Sequence, residues 1–169
     1  FAYLLGRYYP VGIMPDGKEW IESNVNYPLM GWHHANNDYF KRLKYGTFHT
    51  FDMCESINRK LEDGWRIPTQ TDFKDLLRFG DRSGQFLLPS EGGTDEFGLG
   101  IVFGGWCDNN GIIQGQGVRA NYWSGTKNNS IRARHTLFDR YLVYYHTNTH
   151  RHLGFSARCV RNLKNITDK

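Results

Sequence analysis

Residues 122–162 read YWSGTKNNSIRARHTLFDRYLVYYHTNTHRHLGFSARCVRN, and the ends of this stretch differ from its middle. Tyr122-Trp123-Ser124-Gly125-Thr126 opens it and Gly154-Phe155-Ser156-Ala157-Arg158-Cys159-Val160-Arg161 closes it. Between them Tyr, His, Asn, Thr, Arg and Asp are broken only by short apolar pairs. We read the ends as scaffold and the middle as a displayed binding surface.

Composition supports that division. Asn128 to Leu163 spans 36 residues without a Lys, Glu, Gln, Met, Trp or Pro. In residues 1–127 the five types Lys, Glu, Gln, Met and Trp fill 24 positions. At that background a gap of this length arises by chance on the order of one time in a thousand or less, set against ordinary usage. Every residue in the gap has a codon ending in C or T. Randomising both adenines of an AAC or AAT asparagine codon yields such a set and excludes the same five types. The plainer reading is a β-rich tail, which disfavours Lys, Glu and Gln in any case.

The chain of 169 residues has room for one domain with its own core. Nineteen Gly against five Pro point to tight turns rather than disorder. No apolar run approaches the ~20 residues of a membrane span, so insertion by this chain is not expected. The start at Phe1, followed by too short an apolar run for a signal peptide, suggests a piece of a longer protein. The net charge of +4 hides an asymmetry: residues 132–169 hold eight Lys/Arg and two Asp. Those Arg residues are scattered among expected strands without a Lys cluster or nucleic-acid motif, so no nucleic-acid partner is expected. Cys54, Cys107 and Cys159 form no CxxC pair, which excludes a zinc ribbon or a thioredoxin-like site. Any one disulfide among them stays open.

Pro15-Asp16-Gly17 signals the turn of an early hairpin. Asn24 to Lys44, with His33-His34, has no clean period and reads as loop with short strands. Phe51, Cys54, Ile57 and Leu61 make one helical stripe, with Thr50 as N-cap and Gly64 as stop. Thr69 with Asp72 predicts the capped start of a second helix that buries Phe73, Leu76 and Leu77 and ends at Gly80. Phe86 to Pro89 reads as a short strand and Gly92 to Gly98 as a loop. Asp108-Asn109-Asn110-Gly111 is a hairpin turn signal. The glycines from Gly100 to Gly117 lack the pattern of a phosphate loop and read as close-packed turns and bulges. In the tail, 133–138, 141–145 and 154–160 are expected strands, with 139–140 and 147–153 as connections. Phe155, Ala157 and Cys159 share the expected core face.

Several segments together resemble one family. Asp16-Gly17-Lys18-Glu19-Trp20-Ile21-Glu22-Ser23-Asn24-Val25-Asn26-Tyr27 is similar to its opening DGxxWxxxNLNY. Thr50-Phe51-Asp52, followed by Asp63-Gly64-Trp65-Arg66-Ile67-Pro68-Thr69, resembles its TWxxA and GWRxPT segments. Phe97-Gly98-Leu99 with Gly104-Gly105, Tyr122 to Thr126 and Gly154 to Arg161 complete the order. The chain thus resembles the Fibrobacter succinogenes major paralogous domain over residues 12–163. That resemblance implies an α+β, C-type-lectin-like fold, with two helices packed on short twisted antiparallel sheets and long loops. Residues 1–11 are then an N-terminal extension and 164–169 a tail. Residues 128–153 resemble the variable face of proteins diversified by retroelements, such as phage tropism determinants and bacterial display proteins. An extracellular place, on a bacterial surface or a phage particle, is implied.

Departures narrow the expectation. Glu-Pro-Asn, Gln-Pro-Asp and Trp-Asn-Asp are all absent, so calcium-dependent sugar binding is not implied. Positions 62 and 63 are Glu and Asp where the family often has a cysteine, so its disulfide is not carried over. The paired active-site cysteines of the related formylglycine-generating enzymes have no counterpart. His146, His150 and His152 have metal-like spacing, but the tail's biased composition produces such spacing easily, and no metal or other cofactor is expected. No base–nucleophile pair emerges, so no enzyme is expected. For binding, Tyr141, Tyr144 and Tyr145 offer large contact area at low rotamer cost. Asn129, Ser130, Asp139, Arg140, His146, Asn148, His150 and His152 add adaptable hydrogen bonds. The expected function is a display domain of receptor-binding or adhesin type, taking a protein or cell-surface ligand. The alternative is an invariant structural or adhesive module of a surface or fimbrial protein.

Overall fold

Two adjacent aromatic residues organise the molecule, because neighbours on a strand point to opposite faces. Tyr122 and Trp123 lie in β7 (Arg119–Lys127), and both are fully buried. Trp123 packs with Phe51, Ile57, Phe155, Ala157 and Cys159 in one core, and Tyr122 packs with Trp20, Phe73, Leu76, Phe103 and Phe138 in the other. The computed structural model describes residues 1–28, 38–80, 87–88 and 93–163.

The elements are mixed α and β, with three helices and several small antiparallel sheets among the described residues. β1 (Ala2–Leu4) and β2 (Arg7–Tyr9) form a hairpin whose Leu4 and Tyr9 are buried against the first core. β3 (Val11–Ile13) and β4 (Lys18–Ile21) flank the expected Pro15-Asp16-Gly17 turn. Asp16 Oδ2 accepts from Trp20 Nε1 at 3.0 Å, which locks that turn to the strand. β10 (Val160–Asn162) pairs with the other edge of β4, Val160 opposite Trp20, and so ties the two ends of the fold together. β5 (Trp106–Cys107) and β6 (Ile113–Gln114) form the hairpin expected around Asp108–Gly111. The main sheet has the order β7-β8-β9, with β8 spanning Arg132–Asp139 and β9 spanning Val143–His150.

α2 (Phe51–Asn58) starts at Thr50, whose hydroxyl accepts from Met53 N at 3.2 Å. It stops at Asn58 rather than at Gly64, because Asn58 Oδ1 turns back to accept from Ile67 N at 2.7 Å. Leu61 lies beyond the helix but still packs on the core. α3 (Gln70–Leu77) has the expected capping box, Asp72 N bonding Thr69 Oγ1 and Thr69 N bonding Asp72 Oδ2 at 2.7 Å. Burial opposes ionisation of Asp72, but hydrogen bonds from Arg66, Lys18 and Thr69 outweigh it and hold the carboxyl well below the usual range.

Other expectations are corrected. α1 (Tyr39–Tyr45) occupies part of the region read as loop; it is capped by Asp38 and ended by Gly46. None of its residues is buried, and its 7 residues are too short a window for the spacing of Tyr39, Phe40 and Leu43 to stand out as a helical period. His33 and His34 lie outside the described residues, as do Phe86, Pro89, Gly92 and the 164–169 tail. Leu87 and Leu88 are fully buried but not in a strand. β9 runs to His150, so Thr147 to His150, expected as loop, is paired strand. Gly154 to Cys159 makes only isolated bridges, to Cys107, His49 and Tyr122, before β10 begins. Phe155, Ala157 and Cys159 are core as expected, and Ser156 and Arg158 on the opposite face are buried as well. All three cysteines are buried free thiols.

Arg158 joins these parts at zero exposure. Its Nε donates to Asn24 Oδ1 at 2.9 Å, and Nη1 donates to the carbonyls of Ile21 at 2.9 Å and Leu99 at 2.6 Å. Nη2 donates to the Gly100 carbonyl at 2.5 Å, and the guanidinium lies 5.7 Å from the Tyr122 ring centre. Gly100 has φ +67°, and a Cβ there would meet the Glu22 carbonyl at 2.7 Å. Only glycine allows that close approach. Replacing Arg158 with Met takes this donor from the Ile21, Leu99 and Gly100 carbonyls, at about 1–3 kcal/mol each, whereas Asn24 Oδ1 keeps the Tyr122 hydroxyl. Urea denaturation is expected to show a loss on the order of 4 kcal/mol or more; a loss below about 1 kcal/mol would mean that water takes over the acceptors.

Candidate binding face

The tail hairpin is shaped by two side chains that turn the chain at opposite ends of β8. Asn129 Oδ1 accepts from Ile131 N at 2.8 Å and Arg132 N at 2.7 Å. Asp139 Oδ1 accepts from Tyr141 N and Leu142 N, both at 2.8 Å. These are Asx turns, in which the side chain substitutes for a backbone acceptor. Asn129 and Asp139 therefore set geometry through the oxygens that a ligand would otherwise use.

Between the turns β8 and β9 pair with Arg132 opposite His150, Arg134 opposite Asn148 and Leu137 opposite Tyr144. The register slips between His135 and Leu137, where Tyr145 and His146 of β9 stand against Thr136 alone. This bulge re-aims the side chains beyond it. Tyr141, 73% exposed, and Arg140 occupy the tip; Tyr144 is 44% exposed. Tyr145 is half-buried, and its carbonyl accepts from Gln70 Nε2 of α3. Ser130, Asn148, His150 and His152 are exposed toward the other end. Asn148 Oδ1 accepts from Arg132 Nη1 at 3.4 Å, and the His150 and His152 rings lie 5.3 Å apart. The side chain of His146 lies outside the described residues.

The expected residues thus fall into two groups. Asp139, Arg140, Tyr141, Tyr144 and Tyr145 gather at the α3 end of the hairpin. Asn129, Ser130, Asn148, His150 and His152 lie at the other, about 20 Å away at the usual strand rise. Two grooves border the first group and share Tyr144. One, about 510 Å³, lies between β9 and α3 and adds Lys74, Leu77 and Arg78. The other, about 570 Å³, adds Val118, Arg119, Leu137 and Thr147. Sequence reasoning did not include the α3 and β7 residues. The spacing of Lys74 and Arg78, four apart on one helix face, was the available signal.

Part of the biased stretch is structural. Arg151 donates to Asp52 and, at 3.2 Å, to Glu55 Oε2 of α2, and its guanidinium lies 4.9 Å from the Phe51 ring centre. Thr147 Oγ1 donates to the His135 carbonyl at 2.9 Å. His135 packs its ring 4.8 Å from that of Phe155, and its Nδ1 is buried without a hydrogen-bond partner. Among the described residues no three His, Cys, Asp or Glu side chains gather as a metal would require. Burial pushes the Cys107 and Cys159 thiols up to about 11 and about 12, away from nucleophilic thiolates.

No family model matches the chain, and no curated protein and no solved structure matches it.

Burial pulls the His135 pKa from 6.5 down to about 4. Between those values the unfolded chain binds the proton and the folded chain does not, so stability is complete above pH 6.5 and falls as the pH drops toward 4. His135→Gln is expected to flatten that part of the stability–pH curve measured by urea denaturation. An unchanged slope would assign the acid sensitivity to carboxylates.

Proposed function

We propose that this chain is a non-enzymatic display domain with a C-type-lectin-like fold, of the kind diversified by retroelements, acting as a receptor-binding or adhesin module on a bacterial surface or phage particle. The observation that carries the reading is a coincidence of composition and exposure. The stretch lacking Lys, Glu, Gln, Met and Trp contains a hairpin whose Arg140, Tyr141, Tyr144, Asn148 and His150 face solvent, before it runs on into the buried segment 154–160. Rigid strands presenting Tyr and Asn give a binding surface that loses little conformational entropy on contact. The family-like motifs support the fold: Tyr122, Trp123, Phe155 and Arg158 all lie in the packed interior.

The second reading is an invariant adhesive module. The structural work of Asn129, His135 and Arg151 inside the biased stretch favours it, because a fixed fold would select those residues for packing. Sequencing the encoding locus across many cells of one population separates the two. Under diversification, substitutions cluster at codons 130, 140, 141, 144, 148, 150 and 152 while His135, Phe138, Arg151 and Arg158 stay constant, with an adenine-rich near-copy and a reverse transcriptase nearby. An invariant tail without such a copy would decide for the fixed module.

The triple change Tyr141→Ser, Tyr144→Ser and Asn148→Ser removes exposed side chains, so urea denaturation is expected to move by less than about 1.5 kcal/mol. Binding to any partner of this face is expected to drop by a hundredfold or more, as removal of aromatic anchors does. Loss of cooperative unfolding would show instead that these residues belong to the core.

A further inference from the structure

The two grooves beside Tyr144 carry an unbalanced charge. The α3 groove is rimmed by Lys74 and Arg78 over an apolar floor of Leu77, Leu142 and Val143, and among the described residues no carboxylate lines it. Arg78 is 3.4 Å from Asp75, but Asp75 is half-buried and also faces Lys18 Nζ at 3.5 Å, so the exposed Arg78 can turn to a ligand carboxylate at little cost. The second groove holds Arg119, Arg140 and one carboxylate, Asp139, whose Oδ1 already accepts two backbone N–H groups. Lys74, Arg78 and Arg119 come from outside residues 128–163, so this positive rim persists whatever side chains the hairpin presents.

From this charge balance we infer that the partner engages the face through an acidic protein segment. Its carboxylates lie on the Lys74–Arg78 and Arg119 rims, and an apolar side chain lies on the Leu77–Leu142–Val143 floor beside Tyr144. The inference rests on the display reading and names its partner class. The positive rim steers such a segment by opposite charge and repels basic ones. A nucleic acid or sulfated glycan fits less well, since such polyanions need a denser cation track and gain little from an aliphatic floor.

A random peptide display library tests this when panned on three proteins: the wild-type chain, a Lys74→Ser/Arg78→Ser variant and the Tyr141→Ser/Tyr144→Ser/Asn148→Ser variant. Circular dichroism and urea midpoints first establish that all three are folded. The wild-type chain is expected to enrich peptides of net negative charge carrying an apolar residue, with enrichment about five- to tenfold lower on the Lys74→Ser/Arg78→Ser variant. Enrichment of neutral or basic peptides, or equal enrichment of acidic peptides on that variant, overturns the inference while leaving the display reading intact. No enrichment above the triple tyrosine–asparagine variant overturns both. Heparin or duplex DNA binding more tightly than the enriched peptides, and lost in the same cation variant, reassigns the rim to polyanions and also overturns the inference.

Discussion

A guanidinium buried without a carboxylate is expensive unless its donors are met, and Arg158 meets four of its five with three carbonyls and one amide oxygen and lies against an aromatic ring. Its acceptors come from the end of β4, from Asn24 and from the 99–100 turn, segments that no single sheet joins. Asn24 Oδ1 also accepts from Tyr122 Oη at 2.8 Å, so the same site reaches β7. Trp123, the next residue, donates its indole N–H to the His49 carbonyl at 2.6 Å and anchors the segment that leads into α2. The two cores are thereby fastened to one strand, and the hairpin that continues from it inherits a fixed position.

That position explains how an exposed surface can stay ordered. β8 turns Ala133, His135 and Phe138 inward, while β9 forms the free edge of the sheet and carries Tyr144 and Asn148 in solvent. The bulge opposite Thr136 places Tyr144 where both grooves meet. Asn129, Asp139 and Arg151 hold the turns and the return connection, so exposed side chains can change without moving the backbone. A surface of this design separates the residues that fold from the residues that are displayed to solvent, although both kinds occur in one run of sequence.

Local rules made several features legible. The N-cap at Thr50, the capping box at Thr69, the turns at Asp16-Gly17 and Asp108–Gly111, and the alternation of Phe155, Ala157 and Cys159 each depend on residues close in sequence. The composition gap also drew attention to the hairpin it contains, because side-chain chemistry is written in the chain directly. The extent of β9 escaped, since Asn148 is of a type depleted in strands and reads as loop, and pairing with β8 overrode that preference. α1 escaped because its 7 residues are too short a window for a helical period to stand out.

Arg158 shows where reading along the chain stops. Alternation puts it opposite the Phe155–Ala157–Cys159 face, and an arginine on that side reads as solvated; its acceptors at Ile21 and Leu99 lie 137 and 59 residues away. Burial of a charge depends on acceptors brought together by packing, which no local pattern encodes. The same holds for the grooves. Tyr144 was visible as an exposed aromatic, but Lys74, Arg78 and Arg119 became its neighbours only when α3 and β7 packed beside the hairpin. Side-chain type and spacing follow from the covalent chain, whereas the meeting of distant groups follows from how two cores share one strand.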